Sequence, residues 1–172
     1  TTTPEAHRGH TLIAGIDWGR QSDFTTISIG CRDCKREVAK DRFNQIDYVV
    51  QRDRLKAIYE RWRPQSILCE LNSIGQPNFE MLQRDGLPVV GFTTTASTKP
   101  PLIENLALAL ERAEWQFQQD AVWTMELEAY ERTVSSVTGR SSYNAPDGAH
   151  DDTVISRALM VWQAKEIGWL LA

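Results

Sequence analysis

The sequence predicts an α/β domain: a mixed sheet with helices on both faces. Three observations carry that expectation. Three β-prone segments come first (10–17, 24–32 and 37–44), the last two joined by a short turn, which gives antiparallel pairing. Short apolar strands then alternate with helical segments, the pattern of β-α-β crossovers and parallel pairing. A β-hairpin and one long helix close the chain.

Residues 10–17 (HTLIAGID) are an apolar run ending in an acid, a buried strand. Residues 24–32 (FTTISIGCR) are β-branched and alternating, a second strand. Residues 37–44 form the third, with 31–36 as the turn. Leu55, Ile58, Tyr59 and Trp62 recur at helical spacing over 51–63, and Pro64 stops that helix. Residues 66–71 (SILCEL) are a short apolar strand with one acid, Glu70. A helix over 77–85 ends before Gly86, and 87–92 (LPVVGF) return as a buried strand. A Thr/Ser-rich loop leads to Lys99-Pro100-Pro101 and a helix over 102–113. A short edge strand is expected at 115–118, a helix at 124–133, a hairpin across 134–143 and a final helix over 151–171.

The chain has 172 residues, of which 41% are hydrophobic, so it is neither disordered nor too short for one core. No apolar run approaches the ~20 residues of a membrane span, and the opening TTTPEAHRGH is no signal peptide. Residues 1–9 read as a flexible linker ahead of a single domain. The chain opens on Thr rather than Met, as expected of a domain excised from a longer protein. The net charge of −4 argues against a passive nucleic-acid coat protein. Charge is uneven, however: residues 1–100 hold 14 basic against 12 acidic side chains, and residues 101–172 hold 5 against 11. An acidic centre flanked by Arg suits a metal-dependent phosphodiester enzyme equally well. Three cysteines suggest a reducing compartment. Cys31 and Cys34 have CxxC spacing, but no second Cys/His pair is evident beside them, so a structural or incidental role outweighs metal or redox use. Trp62 and Trp162 read as core, and Trp18 as packed beneath a helix on the face opposite its neighbour Asp17.

Acids at three places carry the chemistry. Asp17 ends the first strand in GIDWG, Glu70 lies inside an apolar strand, and Asp151 and Asp152 open the last helix in HDDTV. Turn capping is the ordinary reading of Asp17, and helix capping that of Asp151 or Asp152. No capping role suits a mid-strand Glu70, which is costly to bury unpaired. Carboxylates from neighbouring strands and a helix N-terminus can converge on divalent cations, and oxygen ligands suit Mg²⁺ or Mn²⁺.

These elements, with Gly15-Ile16-Asp17-Trp18-Gly19, Glu70-Leu71-Asn72-Ser73-Ile74-Gly75-Gln76, the 92–95 stretch before Lys99, Tyr143-Asn144-Ala145-Pro146 and His150-Asp151-Asp152-Thr153-Val154, resemble the nuclease domain of the large terminase subunit of tailed bacteriophages, within the RNase H-like superfamily. The resemblance covers about residues 10 to 165 and implies an RNase H-like fold. It also implies two-metal-ion cleavage of concatemeric double-stranded viral DNA during packaging, in the host cytoplasm. Asp17 would bridge two Mg²⁺ or Mn²⁺ ions, Glu70 would hold one, and Asp151 or Asp152 would supply the third carboxylate. Lys99 would meet the scissile phosphate, or be a solvated loop lysine. Asp23 would support the ligands from outside, or sit in a surface turn. His150 would do the same, touching a bound water or a phosphate, or be a plain turn histidine. Arg20 and Arg140 would contact DNA phosphates. The resemblance also implies an ATPase motor domain ahead of the nuclease on the same polypeptide; no GxxxxGK[ST] loop occurs in this sequence, so that motor would lie outside it. The portal protein and the small terminase subunit would be partners, with no membrane involved. Two other readings compete: another RNase H-like DNA-processing enzyme of resolvase or integrase type, and a silent DNA-binding module of the same fold. An actin-like ATPase would need a second domain and a second Gly-rich turn.

Overall fold

Five strands form one sheet in the order β3-β2-β1-β4-β5: β1 (Leu12–Asp17), β2 (Thr25–Cys31), β3 (Arg36–Phe43), β4 (Ser66–Glu70) and β5 (Val89–Phe92). The computed structural model describes residues 2–19, 24–44, 47–72, 75–134, 136, 139, 141–146 and 150–170. β1 pairs antiparallel with β2, and β2 with β3, while β1–β4 and β4–β5 are parallel. The mixed sheet expected from the sequence is therefore the one that forms. β1 is buried along its whole length because it lies at the centre, covered on both faces.

Alternation along the strands sorts side chains into two layers. Ala14, Ile16, Ile67 and Cys69 join the core under α1 (Tyr48–Trp62) and α2 (Gly75–Arg84). That layer also holds Trp18 and Trp62, both buried as expected. Ile13 and Leu68 face the other layer, with α3 (Lys99–Glu111), α4 (Ala121–Ala129) and α5 (Asp152–Leu170). Trp162 is a half-buried member of that layer. By the same parity Asp17 and Glu70 point to the α5 side.

Gly15 is what lets α5 lie directly on β1. A Cβ there would stand 2.2 Å from the Ser156 carbonyl oxygen and 2.5 Å from the Met160 nitrogen, both backbone. Gly15→Ala is therefore expected to cost about 2–3 kcal/mol by overpacking. A thermal unfolding midpoint within error of the parent would show that α5 is free to shift.

Local chemistry sets the starts of three helices. Asp47 and Asp120 cap α1 and α4, accepting the amides of Val49 at 2.8 Å and Val122 at 3.0 Å. Pro100 and Pro101 fall in the first turn of α3, where their missing N–H groups cost nothing, so the helix starts at Lys99 rather than at 102. The Asp120 cap also starts α4 earlier than the predicted 124–133 helix, and residues 131–134 leave it for the hairpin β6 (Glu131–Val134) and β7 (Ser141–Asn144). The expected edge strand at 115–118 is reduced to one bridge, Arg36 to Gln116. The stretch expected as a linker carries structure of its own. Residues 4–7 form a 3-10 turn, His7 is buried, and Thr2 Oγ1 donates to the Val38 carbonyl at 2.7 Å.

Candidate metal centre

Parallel neighbours β1 and β4 run in register, with Ile16 beside Cys69, so the residues that follow, Asp17 and Glu70, end adjacent strands at the same edge. Asp17 is 7% exposed. Burial drives its carboxyl well above the usual range, reinforced by a hydrogen bond to Glu70 and by the charges of Glu70, Asp152 and Asp151. The four predicted acids thus meet at one place. Asn72 Nδ2 donates to Glu70 Oε1 at 3.2 Å and to the Thr94 carbonyl at 2.9 Å, which ties Glu70 to the loop after β5.

The N-terminus of α5 is capped from outside. Glu126, on α4, accepts the Thr153 amide at 2.8 Å and the Thr153 hydroxyl at 2.5 Å through Oε2. The ordinary capping reading of the acidic pair is thereby displaced: the cap comes from α4. Asp151 instead accepts from Lys99 Nζ at 3.3 Å, and Lys99 also donates to Asn144 Oδ1 at 3.1 Å. Tyr130 lies against Asp151 and donates to the Tyr143 carbonyl at 3.3 Å; burial and Asp151 raise its hydroxyl pKa. Asp152 accepts the Phe24 amide at 3.3 Å, and Arg42 approaches to 3.9 Å. Its carboxyl is pushed up to about 7 by burial first and the Glu126 charge second. His150 sits at the rim, Nδ1 3.9 Å from Asp152 and its ring edge-on to Phe24. Lys99 is thus neither a loop lysine nor fully solvated. Arg20, Asp23 and Arg140 lie outside the described residues.

Sequence reasoning missed three residues here. Glu126 is an acid inside a predicted helix with no local oddity to mark it. Arg42 is one charge among others in Lys40-Asp41-Arg42, and Arg157 shows only as a charge in apolar surroundings. Arg157 is buried on α5, one turn below the acids; its Nε stands 3.0 Å from Glu37 Oε1 and its Nη2 donates to Glu37 Oε2 at 3.2 Å.

The family model described as Terminase RNaseH-like domain matches residues 14–160. The chain belongs to that family. The large terminase subunit of Thermus virus P23-45 is 28% identical over 151 residues, covering 87% of this chain and 31% of that protein. This terminase RNaseH-like domain therefore spans about a third of that relative. The large terminase nuclease from thermophilic phage G20c superposes with a TM-score of 0.83 at 26% identity, covering 91% of this chain and 83% of that one. The same nuclease has been solved with bound magnesium (TM-score 0.81, 26% identity, covering 90% and 82%). The HK97 bacteriophage large terminase shares the fold at TM-score 0.73 and 13% identity, over 90% of this chain and 40% of that one.

The metal-free carboxylate cluster has a pH signature. Asp17 and Asp152 hold protons in the folded state that the unfolded chain has already released, so stability falls as pH rises from near 4 toward 7, by up to ~1.4 kcal/mol per pH unit for each titrating group. Thermal unfolding in EDTA should show this decline, and Asp152→Asn should flatten it. Saturating Mg²⁺ should oppose it, because a cation favours the ionised carboxylates. A midpoint in EDTA that rises from pH 5 to pH 7 would contradict the assignment.

Proposed function

We propose that this domain is a divalent-metal-dependent endonuclease that cuts concatemeric double-stranded viral DNA during genome packaging. The observation that carries this reading is the meeting of Asp17, Glu70, Asp151 and Asp152 at one sheet edge, with Asp17 buried among like charges. Among the described residues, Lys99 pairs with Asp151 and Arg42 approaches Asp152, and Arg42 is shared with Glu126. An all-oxygen donor set short of positive charge fits Mg²⁺ or Mn²⁺.

Asp17, central in the set, is the carboxylate that two ions would share. Glu70 would complete one ion's ligands, and Asp151 with Asp152 the other's. Two such ions, when bound, supply Lewis acidity toward the attacking water, the scissile phosphate and the leaving oxygen. Lys99 neutralises a phosphate oxygen beside Asp151, and Tyr130 backs that position. Asn72 holds Glu70 in place, and Glu126 and Arg42 hold Asp152. His150 at the rim reaches a water or a phosphate, and Asp23 supports the ligands from outside. Arg20 and Arg140 contact the DNA backbone, so affinity falls with salt by a log–log slope near 0.9 per phosphate. The fuller assembly would add an ATPase motor domain, the portal protein and the small terminase subunit in the host cytoplasm. No helix among the described residues is long and apolar enough to cross a membrane.

Digestion of supercoiled plasmid with Mn²⁺ or Mg²⁺, with and without EDTA, tests the reading. Nicked and linear products that vanish with EDTA are expected. DNA binding without cleavage in Mn²⁺ would instead favour the silent module.

A further inference from the structure

At the other end of β1, roughly 20 Å along the strand from Asp17, two histidines and two cysteines meet. His7 closes the 3-10 turn, and His10 follows after Gly9, whose φ of 82° turns the chain. The His10 amide donates to the His7 carbonyl at 3.0 Å, so the HxxH spacing is one tight turn. Cys31 ends β2, and Cys34 lies in the turn to β3, its amide donating to Cys31 Sγ at 3.4 Å. Lys35, in the left-handed region with φ 52°, brings the chain back into β3.

The two turns are laced together before any ligand is considered. The Arg32 amide donates to the Thr11 carbonyl at 2.9 Å, and the Thr11 amide to Asp33 Oδ2 at 2.6 Å. Four donor atoms, one from each residue, all lie within 4.8 Å of one another. Cys34 Sγ stands 3.2 Å from His10 Nδ1 and 3.7 Å from His7 Nδ1, and Cys31 Sγ 3.3 Å from His10 Nδ1. A tetrahedral ion with Zn–S near ~2.3 Å and Zn–N near ~2.05 Å sets sulfur and nitrogen about 3.6 Å apart. The observed separations bracket that value.

Energetics point the same way. His7 is the buried residue of segment 2–10, so little apolar burial holds this segment down. Its packing partner ring is His10, edge-on at 5.8 Å. Two thiolates and two imidazoles are the soft, closed donor set of a structural zinc site, and two thiolates balance the ion's charge. The CxxC pair therefore does have a second pair. It went unseen in the sequence because the histidines precede it by more than twenty residues, in a stretch read as linker.

We propose that His7, His10, Cys31 and Cys34 hold a structural Zn²⁺ that staples residues 2–10 to the β2–β3 turn. The site is independent of the carboxylate centre. Metal analysis of the reduced, purified protein after dialysis should find about one zinc per chain in the parent and in Asp17→Asn, and under ~0.1 in Cys34→Ser. Cys34 is exposed, so its replacement should leave the core intact, with circular dichroism as the check. Co²⁺ added to metal-stripped protein should give thiolate-to-cobalt charge-transfer absorption in the parent and Asp17→Asn, and none in Cys34→Ser. The proposal is overturned if parent and Cys34→Ser carry equal zinc, if zinc is lost in Asp17→Asn but kept in Cys34→Ser, or if cobalt yields no thiolate band.

Discussion

Asp17→Asn is expected to lower plasmid nicking in Mn²⁺ by at least ~10³-fold, a loss of several kcal/mol of transition-state stabilisation. The circular dichroism spectrum should not change. The size of the effect follows from position. Asp17 ends the central strand, shares a hydrogen bond with Glu70, and feels Asp151 and Asp152. Asn keeps the volume and a hydrogen-bonding group but has no negative charge to give a cation. Stability should move the other way. Without metal, three acids remain where four repelled one another, so the midpoint in EDTA should rise near pH 8. The midpoint gain on adding Mg²⁺ should shrink at the same time. If Asp17→Asn cut DNA as fast as the parent, the carboxylates would not be the catalytic centre.

How much of this was legible in the sequence depends on the range of the interaction. Strand alternation and helix spacing are local, so the strands, their pairing senses and the two-faced layering follow from them, whereas the order that puts β1 between β2 and β4 is set by long-range pairing. Glu70 stands out because an acid in an apolar strand has no bland explanation, and Asp17 because it ends such a strand. The acidic pair is ambiguous from sequence, since capping and ligation demand the same residue at the same place. Glu126 resolves that ambiguity by capping α5 across 27 residues of chain. The α4 boundary was misplaced because the hairpin pairing of 131–134 with 141–144 outweighs helix propensity, a tertiary effect. Arg157 and Glu37 are 120 residues apart, and nothing local to either marks them as partners.

That pair supports the second large effect. Arg157→Met is expected to destabilise the domain by about 3–5 kcal/mol, read from urea denaturation, because it leaves a buried carboxylate without its counter-charge. Both residues are 1% exposed. Glu37 also accepts the Gln118 amide at 2.9 Å, and Arg157 lies over the Trp123 ring at 4.5 Å and approaches Asp120 at 3.9 Å, where Lys40 is also paired. Burial already holds the Glu37 carboxyl above its ordinary range despite Arg157. Removing the guanidinium takes away its main opposing influence, so the folded-state pKa climbs further above the unfolded one. Stability then falls as pH rises through that window, and the variant should suffer more near pH 8 than near pH 5. Glu37→Gln in the same chain removes the stranded charge while keeping an acceptor for Gln118, so the double variant should regain about 2 kcal/mol or more over Arg157→Met alone. The consequence reaches the carboxylate cluster, because Arg157 fixes the turn of α5 that follows Asp151 and Asp152. The Mg²⁺-induced midpoint shift should therefore fall in Arg157→Met and return in part in the double variant. Additive single effects would mean that the two side chains are not coupled, and that α5 is held by apolar packing on Gly15 and its neighbours instead.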